Sequence, residues 1–164
     1  MQAIAIVDSN WGLSYKNKNL ASIPAERKST LDAVMGKTII YDHSYLDELP
    51  GQQPVKGARN IIYSGDYAVT VKGAEVYRTF EEIEDAIKDE KTDLVYIIRG
   101  ASIYDHFLDR IDTFHITKID YRYKADAYLT DLDRHPDFVL TADSDEMYCH
   151  DMIYYFLKYE RRER

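Results

Sequence analysis

The sequence has little cysteine, a deficit of positive charge and no long apolar run. Its one cysteine, Cys149, excludes an internal disulfide framework and is typical of a reducing, cytoplasmic compartment. Lysine and arginine total 21 against 29 acidic residues, which gives a net charge of −8 without any long basic run. We therefore expect neither nucleic acid nor an anionic membrane as a partner. The apolar run at residues 3–7 is too short to span a membrane and follows no basic segment, so we expect no signal peptide or membrane span.

The length and the apolar content indicate one domain. A chain of 164 residues, 45% of them hydrophobic, can bury a sizeable core but is short for two domains. We therefore predict a single domain over residues 1–164, and a monomer. The five histidines have no metal-ligand spacing, so we expect no metal site.

The first two thirds of the chain alternate between strand and helix patterns. Apolar runs predict strands at residues 3–7, 37–41, 59–64, 74–77 and 94–98, and Gly65-Asp66 closes the third of them. Apolar positions at helical spacing predict helices at residues 25–35, after Pro24, and 101–108, with a brief one at 44–49. A capping box at Thr79 predicts a further helix with Phe80, Ile83 and Ile87 facing inward.

After residue 108 the alternation stops. Residues 113–123, 138–142 and 147–159 have strand composition, and the acidic segment 143–146 joins the last two. We expect these two strands to form an antiparallel hairpin. The fold class is thus α/β, with a mixed, mostly parallel sheet and a C-terminal antiparallel hairpin.

Two segments are candidates for function. Residues 94–104 predict a buried strand, a glycine and the start of a helix, and ligands of α/β proteins bind at such junctions at the carboxyl edge of the sheet. Residues 11–23 form a long polar connection, which is either an active-site lid or a plain loop. Trp11, at its start, is either part of that lid or a core residue.

Eight short segments, in order and spacing, give the sequence a resemblance to the dihydrofolate reductase family over nearly its whole length. They are AIAIVD at 3–8, WGL at 11–13, IPAE at 23–26, RNIIYS at 59–64, IIRGASIY at 97–104, FL at 107–108, HITKID at 115–120 and YYFLKYER at 154–161. The resemblance implies a three-layer α/β/α fold. It also implies a role in one-carbon metabolism, through hydride transfer from NADPH to a dihydropterin such as dihydrofolate.

The resemblance also implies which residues form the site. Glu26 matches the buried carboxylate that holds the pterin and aids its protonation, and Thr117 matches the threonine that hydrogen-bonds this carboxylate. Residues 11–23 match the loop that closes over the nicotinamide. The implied cofactor-binding residues are Ile4, Gly12, Leu13, His43, Ser44, Ser64, Arg99, Gly100, Ala101, Ser102, Ile103 and Tyr104. The implied substrate-binding residues are Glu26, Thr30, Arg59 and Thr117.

Several positions depart from the family pattern. Asp42 stands where the family has an arginine that meets a cofactor phosphate, and Arg99 stands at the first of two glycines that permit a cis peptide. Thr30 replaces an apolar residue that stacks on the substrate. The arginine that pairs with the glutamate tail of folate aligns with Ala58; Arg59, one place on, would point to the other face of a strand. Two hypotheses therefore stay open: a divergent reductase, and a reductase-fold protein that has lost catalysis and binds a ligand or a partner.

Overall fold

The computed structural model describes residues 1–65 and 68–163, so the predicted turn residue Asp66 lies outside the described part. In chain order the described elements are twelve strands and three α-helices. They are β1 (Gln2–Val7), β2 (Gly12–Tyr15), β3 (Lys18–Asn19), α1 (Pro24–Ala33), β4 (Thr38–Asp42), β5 (Arg59–Tyr63), β6 (Glu75–Tyr77), α2 (Phe80–Ala86), β7 (Val95–Ile97), α3 (Ala101–Phe107), β8 (Thr113–Ile119), β9 (Ala127–Tyr128), β10 (Phe138–Asp143), β11 (Met147–Cys149) and β12 (Met152–Arg161).

Most of the strands form one mixed sheet in the order β10-β12-β8-β1-β7-β4-β5-β6. The pairs from β8 to β6 are parallel, whereas β12 runs antiparallel to β8 and β10 runs antiparallel to β12. The mixed sheet with a parallel part first and an antiparallel edge last is thus confirmed. The central strands β1, β4, β5 and β7 contain runs of buried apolar residues because both of their faces are covered.

The helices cover both faces of the sheet. Ala3, Ala5 and Val7 of β1 belong to a core with the buried residues of α2 and α3. Ile4, between them in the chain, belongs to a second core with Val34, which follows α1. Since successive strand residues face opposite sides, α1 lies on one face and α2 and α3 lie on the other. No α-helix of the described residues is long and apolar enough to cross a membrane.

The C-terminal hairpin differs from the prediction. The expected strand at 147–159 is two strands, because the chain turns at His150 and Asp151 and β11 folds back on the start of β12. β10 pairs with the far half of β12, where Leu140 lies opposite Tyr159. His150 has a φ of 53°, a left-handed conformation that reverses the chain without glycine. The strand predicted at 113–123 ends at Ile119, and the brief helix at 44–49 is a 3₁₀ helix, His43–Glu48.

The segment 11–23 is not an irregular connection. β2 and β3 pair antiparallel across a turn at Lys16 and Asn17, whose φ values are 50° and 64°, and β9 adds a third strand to this small sheet. Two positive φ values in a two-residue turn match the twist of the hairpin strands. Trp11 is 5% exposed and packs edge-on against Tyr159, which identifies it as a core residue.

Candidate active site

A cleft with two connected chambers opens on the α1 face of the sheet. The larger chamber, about 420 Å³, lies between α1 and strands β8, β10 and β12. The smaller chamber, about 260 Å³, lies between α1, the β2–β3 hairpin and the segment Ile98–Ser102. Ile4, Glu26 and Thr30 line both chambers, so the cleft runs without interruption from the Glu26 carboxylate to Gly100.

Glu26 is the acid at the junction of the chambers. Pro24 begins α1 and sets Glu26 in the first turn, with its side chain half-buried toward the sheet. Burial raises the pKa of the Glu26 carboxyl, because the charged form loses solvation. A hydrogen bond from Thr30 and the charges of Arg27 and Arg99 oppose this shift in pKa. Glu26 therefore keeps a proton to a higher pH than an exposed glutamate does.

The hydroxyl that donates to Glu26 is that of Thr30 and not that of Thr117. Thr30 Oγ1 lies 2.7 Å from Glu26 Oε1. Thr117 is buried on β8 and lines the larger chamber, but the structure gives it no hydrogen bond to Glu26. The i, i+4 spacing of Glu26 and Thr30 places both side chains on one face of α1, and this signal was present in the sequence.

Gly100 joins β7 to α3 at the end of the smaller chamber. Its φ is 117°, and the Arg99–Gly100 peptide is trans. A Cβ at Gly100 would lie 2.8 Å from Ile103 Cδ1 and 3.3 Å from Asp42 Oδ2. Only glycine fits there without strain, so the backbone at Gly100 stays open to close approach by a ligand.

Arg99 points into the cleft region and not into solvent. Its side chain is 10% exposed, and its Nη1 lies 3.0 Å from Oε2 of Glu48, whose side chain is 31% exposed. The guanidinium also lies over the Tyr45 ring, 5.5 Å from its centroid. Arg99 Nη2 and Glu48 Oε2 are buried and have no hydrogen-bond partner of good geometry among the described residues. The ion pair therefore leaves a guanidinium donor unused beside the smaller chamber.

Asp42 places a negative charge at the same end of the smaller chamber. It ends β4, the strand beside β7, and accepts a hydrogen bond from Ser44 Oγ. Both residues line the chamber. The Ser44 hydroxyl is thus engaged by Asp42, and an anion bound here would meet a carboxylate.

Sequence reasoning predicted Tyr104 as a residue of this cleft but missed Tyr45. Tyr45 lines the smaller chamber, and burial, followed by the charge of Glu26, raises the pKa of its phenol to about 12. Its ring packs edge-on against Tyr41. Tyr104 lines the same chamber and donates its hydroxyl hydrogen to the Ile4 carbonyl. Both phenols stay protonated at neutral pH and can donate but not act as bases.

Comparison with known proteins identifies the family. The family model described as dihydrofolate reductase matches residues 1–161 of the chain. The chain belongs to the dihydrofolate reductase family. Dihydrofolate reductase of Staphylococcus aureus strain Mu50 is 20% identical over 116 residues, which cover 71% of this chain and 69% of that protein. The Bos taurus enzyme is 26% identical over 150 residues, which cover 81% and 80%. A structure of dihydrofolate reductase from Enterococcus faecalis, complexed with NADP(H) and RAB-propyl, superposes with a TM-score of 0.80 at 16% identity, covering 99% and 96% of the two chains.

The dihydrofolate reductase resemblance predicted twelve cofactor-binding residues, and the smaller chamber brings most of them together. Eight line it: Ile4, Leu13, Ser44, Arg99, Gly100, Ala101, Ser102 and Tyr104. Four do not: Gly12, His43, Ser64 and Ile103. Ile103 is fully buried in the core, Ser64 donates to the Tyr77 carbonyl, and the Gly12 N–H donates to Asp8 Oδ1 at 2.8 Å.

Arg59 does not reach the cleft, which contradicts its prediction as a substrate-binding residue. Its guanidinium lies 2.6 Å from Glu75 Oε2 and 2.8 Å from Glu90 Oε1, and it donates to the Ala86 carbonyl. These groups lie at the start of β5, away from the carboxyl edge of the sheet. The one-residue shift from the family position turns the side chain to the other face, as strand alternation requires. No group of three or more metal-ligating side chains occurs among the described residues.

Proposed function

We propose that the protein reduces a dihydropterin such as dihydrofolate with NADPH as the hydride donor. The observation that carries this proposal is the position of Glu26, a carboxyl with a raised pKa at the centre of a cleft that continues to Gly100. An acid with a raised pKa holds its proton to a higher pH than usual and can deliver it to a substrate nitrogen. Membership of the dihydrofolate reductase family supports the same chemistry.

In this proposal the substrate binds at one end of the cleft and the cofactor binds at the other. In its ionised form Glu26 accepts hydrogen bonds from the N–H groups of the pterin ring, and in its protonated form it is the proton donor. Thr30 fixes the orientation of the carboxyl group. At the other end, Gly100, Ala101 and Ser102 would hold the cofactor, because the missing Cβ at Gly100 lets the cofactor approach the backbone closely. When bound there, NADPH supplies the hydride. The β2–β3 hairpin borders the smaller chamber through Leu13 and Ser14 and is placed to exclude water from this step.

A second candidate function is ligand binding without reduction. Asp42 favours it, because a carboxylate beside Gly100 repels the phosphates that a family arginine would attract. Arg99 favours it as well, since its ion pair with Glu48 lies beside the chamber in which the cofactor would bind. A protein with these charges could keep a pterin site while it has lost its affinity for NADPH.

Oxidation of NADPH in the presence of dihydrofolate tests both candidates. We expect turnover by the parent protein and a loss of at least about a hundredfold in Glu26→Gln, because general acid catalysis contributes about 10²- to 10⁴-fold. Direct titration with NADPH completes the test. Absence of both turnover and NADPH binding would overturn the reductase proposal, and retained binding of a pterin would then support the second candidate.

A further inference from the structure

We propose that Arg99 determines substrate specificity: Arg99 and Glu26 together recognise the polar edge of an uncharged pterin ring. The Glu26 carboxylate accepts from ring N–H groups, and the Arg99 guanidinium donates to the ring carbonyl oxygen. This inference rests on the proposed binding of a pterin in the cleft, but it does not require that the pterin be reduced.

The first support is the unused donor of Arg99. The side chain is nine-tenths buried and lines the smaller chamber, and its Nη1 pairs with Glu48 Oε2 at 3.0 Å. Nη2 is buried without a hydrogen-bond partner among the described residues. A buried donor without an acceptor is costly, and a ligand oxygen at this place would satisfy it.

The second support is the charge of the smaller chamber. Glu26 and Asp42 line it together with Arg99, and Glu48 already neutralises part of the Arg99 charge. Among the described residues that line this chamber, Arg99 is the only cation, so its guanidinium is the charged donor there. A neutral carbonyl oxygen can accept from this donor without placing a further negative charge beside Asp42.

The third support is the position of Arg59, the other arginine that was predicted to bind substrate. Its guanidinium is bound by Glu75 and Glu90, and Arg59 lines neither chamber. Of these two arginines, Arg99 is therefore the one that can donate to a substrate ring in the cleft.

A pair of ligands that differ in one group tests the role of Arg99. Pterin carries a ring carbonyl, and 2,4-diaminopteridine carries an amino group in its place. We expect Arg99→Gln to raise the dissociation constant of pterin by about ten- to a hundredfold, since hydrogen bonds to charged groups have that strength. The same variant should leave the affinity for 2,4-diaminopteridine unchanged or raise it. Equal effects of Arg99→Gln on the two ligands, or no effect on pterin, would overturn the proposal.

Arg27→Gln is the matched control. Arg27 is exposed on α1, donates to Ser22 Oγ, and also lowers the pKa of Glu26 by its charge, but it does not line the cleft. If both arginine variants weaken pterin binding equally, the effect is general electrostatics and the specific role is refuted.

A measurement on the parent protein covers the case in which Arg99→Gln fails to fold. In protein labelled with ¹⁵N-arginine, pterin should shift the Nε–Hε signal of Arg99 and leave those of Arg59 and Arg161 in place. Arg99→Lys, which keeps the charge but loses the planar fork, assigns this signal and should show intermediate affinity. An Arg99 signal that does not respond to saturating pterin, or the absence of pterin binding, would overturn the inference. All of these measurements use binding alone, so a protein that binds as expected without turnover refutes only the proposed reduction.

Discussion

Replacement of Gly100 by alanine tests how closely the atoms around Gly100 are packed at the proposed cofactor end of the cleft. The φ of 117° puts a non-glycine residue in a sparsely populated region, which costs about 1–3 kcal/mol. The new Cβ would also lie 2.8 Å from Cδ1 and 3.2 Å from Cγ1 of Ile103. Because Ile103 is fully buried in the core of α2 and α3, it cannot move away freely, and overpacking adds about 1–3 kcal/mol. We expect Gly100→Ala to lower the free energy of unfolding in urea by about 2–6 kcal/mol.

A comparison with Gly36→Ala separates the backbone cost of alanine at a positive φ from the cost of packing against Ile103. Gly36 has a φ of 76°, but nothing lies within 4 Å of a Cβ built there, so only the backbone cost of about 1–2 kcal/mol applies. If both variants lose the same free energy of unfolding, Gly100 is not closely packed and the reasoning fails. In the folded fraction of Gly100→Ala, NADPH affinity should also fall, whereas Gly36→Ala should bind NADPH as the parent does.

Three further predictions concern charged groups. Burial raises the folded-state pKa of Glu26, so its ionisation costs stability above that pKa and nothing below the unfolded value of about 4. Glu26→Gln should therefore be more stable than the parent in urea at neutral and alkaline pH, with a difference that vanishes toward pH of about 4; a difference that is constant with pH would contradict this. Thr30→Val removes the hydrogen bond that lowers the pKa of Glu26, so the decline of kcat/KM with rising pH should move to higher pH, and an unchanged profile would refute the role of Thr30. Arg59→Met should cost about 1–3 kcal/mol in urea at neutral pH. Its guanidinium is the main cause of the lowered pKa of Glu75 and, after the hydrogen bond from Thr38, also lowers that of Glu90. The stabilisation is therefore present above their unfolded pKa values and is lost as pH falls through the folded ones; a loss that persists in acid would contradict the assignment.

The central strands could be predicted from the sequence because each is buried on both faces. Residues 39–41 and 61–62 are fully buried, and a continuous apolar run is the direct sequence signal of that environment. The break between β11 and β12 gave no such signal. Residues 147–159 are rich in tyrosine and other strand formers, and the turn at His150 contains neither glycine nor proline. The residue types in a segment do not indicate a turn that uses a positive φ at a non-glycine residue.

The sequence indicated which segments form the candidate site, but it did not indicate which side chains contact each other there. The strand, glycine and helix at residues 94–104 indicated the cofactor end, and the resemblance indicated Glu26. Which hydroxyl reaches Glu26 depends on side-chain rotamers across the cleft, so Thr117 was expected and Thr30 was found. Arg59 was predicted to bind substrate and does not, although the alternation of strand faces already indicated that its guanidinium would turn away.

The charges of Asp42 and Arg99 in the smaller chamber explain why family membership alone does not determine which ligand binds. β4 and β7 are neighbouring parallel strands in which Ile40 lies opposite Ile97, and Asp42 and Arg99 each stand two residues further on. In the family pattern an arginine stands at the position of Asp42 and a glycine stands at the position of Arg99. In this chain the arginine follows the neighbouring strand β7, and a carboxylate stands where the family has its arginine. The pairing of β4 with β7 tolerates this exchange because both residues lie beyond the last residue pair of these two strands. Under the proposed function, a carboxylate then lies where the cofactor would bind and a guanidinium donor lies where the substrate ring would bind. The proposal thus couples affinity for the cofactor to the choice of substrate, because a change at either position alters the charge that both ligands would meet.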